Sequence, residues 1–311
     1  FALDVAELGG LYAQHAYLIG TEAGLGVRTA KGSEFNIGEF QVNHAGEIVH
    51  RGAIKAEGNA ALYAAEGIVV DTDASIAAQG NLAMSTQASI ANKGTLAAKG
   101  NFDLFADGLN STITSYAGSS LMAGIGDDGK PLNTLSQLMV RATQKVSLNG
   151  KQSASGDFIV KSQTIDLRNS ETAATNISLL GLDGSVNNQA DNIDASGATL
   201  TANNALTARA RYQLTTDRAT VAAKDFFLTA TDFFNIGGTL TQTSSNDWLL
   251  NFLGNFNNTA GTIKTNAANF SITAANIDHT RGTLTTKVAV TSALTLSNCR
   301  ARLEQSRQPI H

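Results

Sequence analysis

The chain has 311 residues, 42% of them hydrophobic but only 6% aromatic, with 29 Gly, 2 Pro and a formal charge of −4. Ala, Leu, Ile and Val therefore supply most of the apolar content, and the charge lacks the basic footprint that nucleic-acid binding requires. No apolar run approaches the roughly 18 residues of a membrane helix, so no membrane insertion of this segment is expected, and the lone Cys299 cannot form an intramolecular disulfide.

Residues 1–30 open on "FALDV", without an initiator Met or a secretory leader, and read as the start of an internal fragment. They continue through "LGGLYA" at Leu8 and "GTEAGLGV" at Gly20. Residues 31–114 form a first repeat array: "GAIKAEGNAALYA" from Gly52, "ASIAAQGNLAMST" from Ala74 and "GTLAAKGNFDLFA" from Gly94 place Ile54, Ile76 and Leu96 at matching positions. Asn59, Asn81 and Asn101, each preceded by Gly, are expected at corners with positive φ. "FNIGEFQV", from Phe35, departs from the plain repeat.

Residues 115–190 are irregular linking coils, including "GSSLMAGIGDDGKP" from Gly118 and "IDLRNSET" from Ile165. Residues 191–296 form a second array in which Leu200, Val221, Leu240, Ile263 and Leu284 recur about every 21 residues. About seven residues before each stands another apolar residue: Ile193, Leu214, Phe233, Phe256 and Ile277. Residues 297–311, "NCRARLEQSRQPIH" from its second position, lose this texture and are set aside as an atypical tail.

Alternation with period two, Thr and Val enrichment and Gly/Asn turns predict two or three short strands per period, whereas an amphipathic helix needs apolar residues at spacings of three and four. Strands this short, with side chains this small, cannot build a sandwich core. Wound as a parallel β-helix, each strand pairs with its counterpart one coil on, and the inward residues stack into a continuous core. The length then predicts about 14 coils and a rod of roughly 65 Å.

Candidate chemistry is sparse. Asp71 and Asp73 alternate in "VVDTDAS" and would share a strand face, but "NKGT", one coil on, offers no matching acid or base, which favours a solvated turn. "GDDGKP" lacks the ligand pattern of a calcium loop and reads as a turn. His15, His44, His50 and His279 lack partners at metal-ligand spacing, and Cys299 lacks a nucleophile motif. "LGLDG" and "GLGVR" lack the strand-to-helix context of a phosphate loop. No catalytic residue, metal or cofactor is assigned. Aromatic residues concentrate between Phe226 and Phe256. Neither Phe226 and Phe227 nor Phe233 and Phe234 can both point inward, which leaves lateral packing under a Trp248 insertion, the favoured reading, against partner binding through Phe227, Phe233, Trp248 and Phe252.

Three stretches of the opening, Ala2-Leu3-Asp4-Val5, Leu8-Gly9-Gly10-Leu11-Tyr12-Ala13 and Gly20-Thr21-Glu22-Ala23-Gly24-Leu25-Gly26-Val27, resemble the segment after the secretion domain of filamentous-haemagglutinin-like exoproteins of bacterial two-partner secretion. The linking coils and the "NIDASGATLTA" repeats are similar to that family as well. The resemblance implies an all-β, right-handed parallel β-helix with about 21 residues per coil. It would form the structural and presenting shaft of a secreted or cell-surface adhesin or contact-dependent growth inhibition toxin carrier. The implied partners are an outer-membrane transporter barrel, engaged by a secretion domain upstream of Phe1, and a target-cell receptor or glycan. The rival from another class is a β-helical polysaccharide-active enzyme, which requires an acidic groove spanning neighbouring coils.

Overall fold

The computed structural model describes residues 3–4, 10–24 and 26–286. Most of the opening motif before Gly10, the end of the second array, Cys299 and the 297–311 tail lie outside the described residues. Within them the chain is all-β, and the helical structure consists of one three-residue turn, Val186–Asn188. No helix among the described residues is long and apolar enough to cross a membrane.

Each period folds as three short strands, as in Thr95–Ala98, Phe102–Ala106 and Thr112–Ser115. Within the main ladder each strand pairs in parallel with its counterparts one coil below and above, and Trp248–Asn251 with Phe270–Thr273 forms a separate parallel pair. Leu96 faces Ile76 and Leu121, Phe102 faces Leu82 and Leu138, and Ile113 faces Ile90 and Val146. The result is a parallel β-solenoid with three faces. Its first face carries Ile54, Ile76, Leu96, Leu200, Val221, Leu240, Ile263 and Leu284 in one inward column. Ile193, Leu214, Phe233, Phe256 and Ile277 form the matching column of the third face.

Among the described residues thirteen coils stack between Leu11 and Leu284, about 60 Å at the strand spacing. Two of them carry excursions. Between Ala123 and Leu138 the chain leaves the wall as a loop closed by an Ile125–Pro131 bridge, and between Leu180 and Ala190 it makes the short helical turn. Each excursion sits at a corner, the first between the first and second faces and the other between the second and third, and the chain resumes on the next face in register, so added length does not disturb the ladder. The segment around "FNIGEFQV" is in register too: Glu34–His44 spans the first and second faces and buries Phe35, Ile37, Phe40 and Val42.

Two residues beyond the main column of the first face, Ala56, Ala78, Ala98, Ala123 and Ala154 are all buried. This position lies beside the bend into the second face, where opposing walls converge and a larger side chain has less room. The alanine-rich composition follows from the narrow lumen.

The expectation for Asn59, Asn81 and Asn101 requires correction, because none of them, nor the glycine before each, has positive φ. They instead form a ladder: Asn81 N–H donates to Asn59 Oδ1 and Asn101 N–H to Asn81 Oδ1, both at 2.8 Å, and Gln137 N–H donates to Asn101 Oδ1 at 2.9 Å. The glycines are needed for clearance, since a Cβ on Gly100 would come within 2.3 Å of Asn81 Oδ1. Positive φ occurs at the other end of the coil, between third and first faces, at Asp73, Asn169, Gly197, Arg218, Gly237, Ala260 and Arg281.

The register makes a direct test. Leu240 and Ile263 are sealed in the lumen while Thr239 and Thr262 face outward. Leu240→Asp or Ile263→Asp should cost several kcal/mol through an unpaired buried charge, and Thr239→Asp or Thr262→Asp much less. Thermal melts of the four variants check this, and equal losses would mean the register is misassigned.

Candidate functional site

The aromatic stretch is almost entirely internal. Phe226 on the second face stacks on Trp248 one coil on, with ring centroids 4.9 Å apart, and Trp248 meets Phe270 at 5.3 Å. On the third face Phe233 stacks with Phe256 at 5.6 Å, and Phe252, at the bend, touches Phe233 at 5.1 Å and Phe256 at 5.9 Å. Trp248 occupies a strand, Trp248–Asn251, paired in register with Phe270–Thr273, so it is a core residue and not a lateral insertion. Of the four candidate partner-binding residues, Phe233, Trp248 and Phe252 are sealed from solvent and cannot meet a partner in the folded coil. Phe227 is 57% exposed, and Leu249, in the equivalent outward position one coil on, is 66% exposed. Adjacent aromatic residues in the sequence require that one face out; which of them pack together depends on coil register.

The Trp248 indole N–H has no hydrogen-bond partner although it is buried. Trp248→Ala should therefore cost about 3–5 kcal/mol through the cavity, whereas Trp248→Phe, which removes an unsatisfied donor, should cost far less. Chemical denaturation of both variants checks the difference.

The densest charged group lies on the third face, in a stretch whose sequence suggests only a linking coil. Asp166, buried at the end of Thr164–Asp166, accepts from Arg168 Nε at 2.9 Å and Arg168 Nη2 at 2.7 Å, and from Lys145 Nζ, one coil below, at 2.9 Å. Asp194, one coil above, lies 3.7 Å from Arg168 and accepts from the Ser196 hydroxyl and N–H. Burial by itself would raise the Asp166 carboxyl, but the hydrogen bonds from Arg168 and Lys145 outweigh it and hold the group well below the usual carboxylate range. Both carboxylates are thus engaged by cations or turn donors, and neither is arranged as a proton donor.

The sign of the pH effect follows. Asp166 binds a proton less readily in the folded chain than in the unfolded one, so its contribution is present above about pH 4 and is lost as pH falls towards the depressed folded value. Asp166→Asn should lower stability at pH 7 by about 1–3 kcal/mol, and the gap to the parent should shrink by pH 3. Denaturant midpoints at the two pH values measure it.

Asp71 and Asp73 do not share a strand face. The strand Gly67–Val70 ends before them and they occupy the turn, where Asp71 pairs with Arg51 at 3.3 Å and Asp73 with Lys31 at 3.9 Å. A shallow groove of about 350 Å³ beside them is lined by Asp73, Ser75, Lys93, Thr95 and Tyr116, with Lys93 over the Tyr116 ring at 5.6 Å. "GDDGKP" is a turn in which Gly126 N–H donates to the Lys130 carbonyl at 2.8 Å, and its Asp127 pairs with Lys99 at 2.9 Å. His15 is exposed beside Tyr17, while His44 and His50 are buried. Among the described residues no three His, Cys, Asp or Glu side chains are placed to hold a metal ion.

No protein-family profile matches the chain, and no solved structure does. A protein named Toxin CdiA, from Yersinia pestis, is 32% identical over 276 residues, which is 89% of this chain. The chain spans only 8% of that protein's length. The alignment therefore follows nearly the whole solenoid while touching a small part of its relative. Repeat pattern, coil geometry and this similarity agree: the chain is a parallel β-solenoid similar to a portion of that toxin protein, in keeping with the resemblance to filamentous-haemagglutinin-like exoproteins.

Proposed function

We propose that this segment is the structural and presenting shaft of a secreted or cell-surface bacterial exoprotein, acting by length and stiffness and not by chemistry. The observation that carries the reading is the parallel ladder, continuous on the first and third faces through thirteen coils of the described residues, in a chain of which 89% aligns with a short stretch of a very long toxin protein. In this reading an outer-membrane transporter barrel exports the protein by engaging a secretion domain outside this segment. The adhesive or growth-inhibiting portion likewise lies elsewhere. The charged group at Asp166 is the arrangement nearest to an active centre, and its saturation by Arg168 and Lys145 supports a wall-stabilising role over catalysis. A second reading, contact with a target-cell receptor or glycan, rests on Phe227 and Leu249, which form an exposed apolar pair on the second face.

If length and presentation are what matter, one whole coil is dispensable. Ala260 and Arg281 occupy equivalent left-handed corner positions, and Gly261 and Gly282 follow them at the same point of successive turns. Deleting residues 261–281 joins Ala260 to Gly282 in register and shortens the rod by about 4.8 Å. Deleting residues 261–270 alone shifts the following strands against their neighbours. In the parent exoprotein, surface display should survive the whole-coil deletion and fail with the half-coil one. A whole-coil deletion that leaves a folded protein but abolishes a hydrolase or lyase activity would overturn the shaft reading.

A further inference from the structure

The lumen is not uniformly apolar. Following the third-face register past the strand ends leads to one inner corner column that begins with Thr29 and His50, is largely apolar through the middle coils, and ends with Thr216, Asn235, Asn258 and His279. The Thr216 hydroxyl donates to Asn235 Oδ1 at 2.9 Å, Asn235 Nδ2 donates to Asn258 Oδ1 at 2.6 Å, and Asn258 Nδ2 stands 2.9 Å from His279 Nδ1. Each amide also donates to a carbonyl in its own turn, Asn235 to Gly238 at 3.2 Å and Asn258 to Gly261 at 3.1 Å.

This chain of bonds has one direction. Asn258 Oδ1 is taken by Asn235, so only the Asn258 amide hydrogens face His279. His279 Nδ1 must then accept, which requires a neutral ring with its proton on Nε2. At the other end of the column, His50 Nε2 lies 2.9 Å from the Ser75 carbonyl, which can only accept, so the proton again sits on Nε2. His50 Nδ1 takes the Thr29 hydroxyl hydrogen at 2.9 Å, and the Thr29 oxygen accepts from Arg51 N–H.

We propose that this column makes the shaft acid-sensitive at its two histidine-bearing coils. Protonating His279 sets an N–H against the Asn258 amide hydrogens, removes that rung, and lets the coil at residues 276–286 part from the one beneath. Protonating the enclosed His50 places a charge in the lumen and loosens the coil at residues 47–56. The coils between, whose column runs Val70, Asn92, Ser115, Leu148, Leu167 and Ala195, place no imidazole in it and stay closed over this pH range.

Among the described residues the charges around His279 are Asp278 and Arg281 on its own coil, while the coil below, residues 255–261, carries none. Burial pushes the His279 ring down, with Asp278 opposing. Around His50 the flanking coils bring Arg28, Glu47, Arg51 and Asp71, and burial again pushes the ring down against the carbonyls of Ser75 and Gly52. His44 Nδ1 accepts from Gly46 N–H at 2.8 Å in the same coil as His50, so two imidazoles share that coil and His279, alone in its own, gives the cleaner test.

The test uses the full 311-residue chain. Histidine ¹⁵N shifts at pH 7.5 should show Nε2–H for His279. Hydrogen exchange, corrected for the intrinsic pH dependence, should show opening at residues 276–286 rising about tenfold relative to residues 90–150 as pH falls from 7.5 to 5. His279→Asn offers an acceptor that does not titrate. It should abolish that rise while leaving the acid response at residues 47–56. An Nδ1–H form of His279 would overturn the proposal even if the variant fails to fold. So would an acid response at residues 276–286 that persists in His279→Asn, or one lost at both ends together.

Discussion

A coil with three strands of three to five residues has nothing to place against its inward side chains except the same positions of the next coil. Everything else follows from that constraint. It fixes parallel pairing, because only a parallel neighbour repeats the same residue at the same height. It also fixes identity within columns, because a larger or smaller residue is felt directly by the two rings or branches stacked on it. The aromatic stack from Phe226 to Phe270 is the same rule carried out with larger groups: once Trp248 widens one layer, Phe226 below and Phe270 above fill the layers it touches.

Polar groups obey the same rule at higher stakes. Inside the lumen a polar group left without a partner is costly, and the Thr216 to His279 series finds its partners rung by rung, within its own column and at turn carbonyls. On the wall, Asp166 is answered by cations from its own coil and from the coil below, which ties two layers together through a charge instead of a methyl group. Where chemistry-bearing residues gather in this molecule, they are facing each other along the axis.

Much of this could be read from the sequence, and the limits have physical causes. Leu200, Val221, Leu240, Ile263 and Leu284 declare their column because apolar residues at a fixed period, flanked by alternating polar ones, admit one register. The corners were harder. Gly-Asn at residues 58–59, 80–81 and 100–101 suits a positive-φ turn and equally suits a crowded ladder of side-chain amides, and only coil-to-coil clearance separates the two. The inner polar column left no signal, since Asn235, Asn258 and His279 stand beside turns where polar residues are ordinarily solvated. Asp166 carries no signal in the sequence because its partner Lys145 is 21 residues away and becomes a neighbour only through stacking. Of the aromatic candidates, Phe233, Trp248 and Phe252 share with Phe227 a stretch of sequence but not an environment.

The ladder bonds run along the axis of the rod, with the strands lying across it. A pull on the two ends therefore does not load the wall all at once. It is borne by the outermost rungs, which open in turn and release a coil of about 21 residues, or some 70 Å of extended chain, before the next coil takes the strain. Mechanically such a rod is stiff when pushed and forgiving when pulled, lengthening many times over by shedding turns while the coils behind remain intact.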